Sequence, residues 1–128
     1  MKNPLIMSAA GAALLFSTSA FAADVAAEIS TAQTHAGLAA KAANIDGVHM
    51  HMHHALNCLV GPGGTGFDAK EMNPCANAGN GAIPDSSDPG KKQSLQAAVT
   101  KAESGIAATD LAAARKIAAD TAAMLKAH

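Results

Sequence analysis

Beyond residue 22 the chain holds a single phenylalanine, Phe67, and it has no tryptophan or tyrosine anywhere. A core without large rings must be assembled from Ala, Leu, Ile, Val and Met. Alanine is the strongest helix former and lets neighbouring helices approach closely, whereas strands favour β-branched and aromatic side chains. The composition therefore predicts an all-α fold, a small Ala-rich four-helix bundle.

The first residues are read as an address. Lys2 gives a positive start, Leu5 to Phe16 an apolar run, and Ala20-Phe21-Ala22 a small-x-small cleavage site. This is the pattern of a secretory signal peptide over 1–22, leaving 23–128 as one helical domain. The short n-region and the cleavage site resemble a bacterial Sec-type signal, which implies a periplasmic or secreted protein. No later apolar run has spanning length, so no membrane segment is expected after cleavage. Lys2 aside, eight basic side chains face ten acidic ones, scattered along the chain with no basic stripe. With almost no aromatic surface either, nucleic acid is excluded as an expected partner.

Helical periodicity organises the rest. From Asp24 to about Ala43, Val25, Ile29, Ala32, Ala36 and Ala39 trace one apolar face, with Asp24 as cap. Asn44-Ile45-Asp46-Gly47 reads as a tight turn, and Asp46 as the cap of a second helix that stops at Gly61-Pro62. So short a connection makes the two helices antiparallel neighbours. Residues equidistant from the turn then share a height, which sets His35 level with positions 53 to 56. From 61 to 88 periodicity gives way to Gly, Pro, Asn, Asp and Ser, read as an ordered loop. Asp88-Pro89 opens a third helix with Leu95, Val99, Ala102 and Ile106 inward. Thr109-Asp110 opens a fourth, with Leu111, Ala114, Ala118, Thr121 and Leu125 repeating helically. The two cysteines, Cys58 and Cys75, are expected to form a disulfide tethering the loop to the second helix.

The chemistry concentrates in Val48 to Leu59. His49, His51, His53 and His54 are interleaved there with Met50 and Met52. Side chains four apart share a helical face, which pairs His49 with His53 and Met50 with His54 and lays His51 over His54 and Cys58. Imidazole suits zinc, nickel and copper, and a thioether favours copper. The expected ligands are His49, His53, His54, His35 and Met50, with a loop carboxylate such as Asp68 or Glu71 able to complete the shell. Copper is the first choice of metal, zinc or nickel the next. Met52 shares a face with Val48, Leu56 and Leu59 and is read as core.

Other chemistries fare worse. Gly61 to Gly66 satisfies G-x-G-x-x-G in letters but follows a helix and opens none, so the dinucleotide reading is rejected. No residues are assigned to catalysis, because the histidines lack a convincing nucleophile or carboxylate companion. The alternative reading is a non-catalytic periplasmic interaction module, its histidines a structural hydrogen-bond network under the loop and its partner another protein. In composition the chain is similar to exported His/Met-rich metal-handling proteins, a likeness of type that assigns no residues.

Overall fold

The computed structural model describes residues 22–128. Apart from Ala22, the expected signal peptide lies outside the described residues. The order is α1 (Val25–Ala40), α2 (Ile45–Val60), α3 (Ala82–Asp85), α4 (Pro89–Ala107) and α5 (Leu111–Lys126), with no strand among the described residues. None of these helices is long and apolar enough to cross a membrane.

Each long helix begins on a side-chain cap. Asp24 accepts from the Ala27 N–H, Asp88 from Gly90 and Lys91, and Asp110 from Ala113. Caps of this kind each contribute about 1 kcal/mol. The cap of α2 is Asn44, accepting from the Gly47 N–H, and not Asp46. Asp46 instead lies in the first turn, where a negative charge suits the positive end of the helix dipole. The first helix also ends earlier than its composition suggests. Lys41 and Ala42 close its last turn on the Leu38 and Ala39 carbonyls. The Ala42 carbonyl is then taken by the Arg115 guanidinium of α5, which satisfies an exposed helix end from across the fold.

Helix α1 packs on α2 and α5, and α4 packs on the same two. Alanines fill the closest approaches: Ala32, Ala36, Ala39, Ala98, Ala102, Ala114 and Ala118 are all fully buried. Met52, Leu59, Leu95, Val99 and Leu125 supply the volume between them. Gly105 serves the same end. A Cβ there would meet Met52 Cε and Ile117 Cγ2, each at 3.2 Å, so α4 can lie close to both neighbours.

The sequence implies a loop throughout 61–88, but the stretch contains one short helix. It runs without regular structure to Gly81, turns once as α3, and meets α4 at Pro89. A four-residue helix is too short to leave a hydrophobic period, which is why composition alone conceals it. The stretch closes on itself at two glycines in positive φ, Gly61 at 68° and Gly81 at 117°. A Cβ on Gly61 would stand 1.6 Å from the Asn80 carbonyl oxygen, so the close approach of these two backbones requires glycine. The Cys58–Cys75 disulfide is present and buried, and Phe67 and Ile83 lean on the core.

Candidate metal centre

Three imidazoles converge between α1 and α2. His51 and His54 stand three positions apart and so share a side of α2. His35 reaches across from α1, as the level-height argument requires. Its ring centroid is 5.1 Å from that of His54 and 5.6 Å from that of His51, and the last pair is 5.7 Å apart. One nitrogen from each ring can be chosen so that all three lie within 4.8 Å of one another. The tightest contact, His35 Nδ1 to His51 Nδ1, is 3.4 Å. Nitrogens in a tetrahedral site with metal–nitrogen bonds of 2.0–2.1 Å are about 3.3 Å apart. This pair already has ligand spacing, and His54 offers a nitrogen within 4.8 Å of both.

Electrostatics favour the neutral form of two of the three rings. Burial pushes the His35 imidazole below its ordinary pKa, and the neighbouring His54 and His51 push it the same way. Burial likewise lowers His54, opposed in part by the Glu71 carboxylate. Neutral rings are what a metal ion takes, because it must not compete with a bound proton. Only 4 % of His54 is exposed, and its Nδ1 has no hydrogen-bond partner.

The histidines of α2 divide by face. His49 lies away from the cluster, its Nε2 donating to the Ala108 carbonyl at 2.8 Å and tying α2 to the α4–α5 connection. His53 faces the loop, with Nδ1 3.6 Å from Asp68 Oδ2, an ion-pair distance rather than a hydrogen bond. Met50 is 41 % exposed, and Met52 is fully buried with its Cε against Gly105 of α4. Of the histidines expected as ligands from sequence, His35 and His54 come together, while His49 and His53 fall outside that group of three. The third ring, His51, was outside the expected set. Its signal was in the sequence, in the spacing that laid it over His54.

No family model, curated protein or solved structure matches this chain. Its chemistry is therefore read from its own side chains.

Asn57 is the residue that sequence reasoning overlooked. Fully buried one turn beyond His54, it binds the loop through both ends of its amide. Nδ2 donates to the carbonyls of Asp68 at 3.0 Å and Met72 at 3.2 Å, while Oδ1 accepts from the Asp68 N–H at 2.9 Å. The disulfide follows at the next position of α2. These two links hold the loop so that Glu71 Oε2 comes to 3.4 Å from His54 Nε2. A concavity of about 550 Å³ lies elsewhere. Val60, Pro62, Ile83 and Pro84 line it, with Glu103 as its one ionisable group, so the reactive side chains are not there.

Proposed function

We propose that this protein binds a transition-metal ion through His35, His51 and His54. The observation that carries the reading is the convergence of three imidazoles, one of them buried with an unpartnered nitrogen. Leaving such a nitrogen unpaired costs about 1–3 kcal/mol, a cost that coordination removes. Three imidazole nitrogens suit a divalent ion, copper(II) first by intrinsic affinity and then zinc or nickel.

The disulfide fits an oxidising, extracytoplasmic compartment. Together with the signal-like pattern of 1–22, it supports a periplasmic or secreted role in metal buffering, delivery or sensing. The remaining α2 histidines favour a structural part alongside it. His49 Nε2 donates to the Ala108 carbonyl, tying α2 to the α4–α5 connection, and His53 Nδ1 stands 3.6 Å from Asp68 Oδ2.

Titration of the metal-free protein with Cu(II) or Zn(II) tests the reading. We expect uptake of one equivalent, lost in His35→Ala, His51→Ala and His54→Ala but retained in His49→Ala. Uptake that survives all three substitutions, or that disappears only with His49, would falsify it.

A further inference from the structure

We propose that Glu71 is a positioning residue for this site: it holds the hydrogen of His54 on Nε2 and so presents Nδ1 to the metal. The inference rests on the metal reading above and deepens it. A single imidazole nitrogen cannot serve both a carboxylate and a metal ion. Glu71 Oε2 stands 3.4 Å from Nε2, in ion-pair contact, and a carboxylate beside that nitrogen favours keeping the ring hydrogen there. The ring is then left with one lone pair, on Nδ1, the buried nitrogen that has no partner. Metal-ligating histidines generally donate their other N–H to a carboxylate or carbonyl, which fixes the tautomer and raises the basicity of the ligating nitrogen.

Glu71 reaches this place by a route independent of its own carboxylate. The Asn57 amide holds the backbone at Asp68 and Met72 on either side of it, and the disulfide holds the chain at Cys75. Truncating the Glu71 side chain leaves those anchors intact, so its effect on His54 can be read without unfolding the loop. Glu71 also stands outside the group of three mutually close donors, which favours a role behind His54 over that of a fourth ligand.

Two measurements on the full chain test this. Long-range ¹H–¹⁵N correlation spectra of the metal-free protein, labelled in histidine, should show His54 bare at Nδ1 and protonated at Nε2. Glu71→Ala should convert that ring to a mixture of tautomers, and Glu71→Gln, whose amide oxygen still accepts, should restore the single form. Zinc affinity from chelator competition should fall about 10–100-fold in Glu71→Ala and recover most of that loss in Glu71→Gln. Zinc bound at Nε2, or a His54 tautomer indifferent to Glu71→Ala, overturns the proposal. If the tautomer behaves as stated but wild-type protein takes up no zinc, the positioning of the ring by Glu71 stands and the metal reading falls.

Discussion

Glu28 is a buried acid in α1, with 0 % exposure. One oxygen accepts from the Gly81 N–H at 2.8 Å, while the other has no partner. Its charged neighbours are themselves acids, Asp85 at the end of α3 and Asp24 at the cap of α1. Burial raises its carboxyl above the ordinary carboxylate range; the Gly81 hydrogen bond opposes this and the two aspartates add to it. The sign of the pH effect follows from linkage. A folded value above the unfolded one means that the native state holds the proton more tightly. The resulting stability is complete below the ordinary value and is lost as pH rises through the raised one. Glu28→Gln keeps an acceptor for Gly81 and cannot ionise. It should match wild type near pH 4 and melt several degrees higher by pH 8, in thermal scans at intervals between. The comparison is differential, so the titration of the histidines cancels. A constant offset across that range would show that Glu28 does not carry the effect.

At the scale of the element, α2 does three jobs on three faces, and this is why its site was only partly legible. The periodicity of Val48, Met52, Leu56 and Leu59 fixes the core face unambiguously. The short turn fixes the height at which α1 and α2 match, which sets His35 level with His54. Rotation about the helix axis is not fixed by either argument. With four histidines in six residues, a rotation of about 100° per residue exchanges one ligand set for another. The His49/His53 pair follows equally well from spacing, yet the packing turns His49 toward Ala108 and His51 toward His35. Asn57 was hidden for a different reason: a buried amide inside an apolar run looks like an imperfection until its loop partners are known. Removing it should be diagnostic. Asn57→Ala leaves the Asp68 N–H and three carbonyls of residues 68–72 without their partner. The expected loss is about 2–4 kcal/mol. Hydrogen exchange at the Asp68 amide should accelerate far more than exchange within α4 or α5, and zinc affinity should fall at least as far as in Glu71→Ala. Unchanged exchange at Asp68 would mean that the loop is held elsewhere.

For the molecule as a whole, the sequence announced the helical class, the long helices and the pairing of its two cysteines, because each rests on local chemistry: apolar period, caps, and a pair of thiols. What it could not announce, the one-turn α3 and the choice of Asn44 over Asp46 as cap, depends on contacts made after the helices assemble. The same alanines that made the class legible leave a core with few methylenes to bury, at about 0.8 kcal/mol each. Covalent and polar ties to the long connection then matter more than they would in a larger-cored domain. Closing the 17-residue separation between Cys58 and Cys75 contributes about 3 kcal/mol in the chain-entropy model. The bridge and the Asn57 amide attach to adjacent positions of α2, so they are not independent. With the disulfide intact, the loop is already near Asn57 and its hydrogen bonds form at little entropic cost. With the disulfide cut, the same bonds must close a longer excursion unaided. A double-mutant cycle combining Asn57→Ala with Cys58→Ala/Cys75→Ala, followed by urea denaturation, should therefore show coupling. We expect Asn57→Ala to cost at least 0.5 kcal/mol less in the cysteine-free background than in wild type, a margin of the size seen for residues sharing one structural unit. Strict additivity would mean that the Gly61–Asn80 approach and the contacts of Phe67 hold the loop on α2 without either tie.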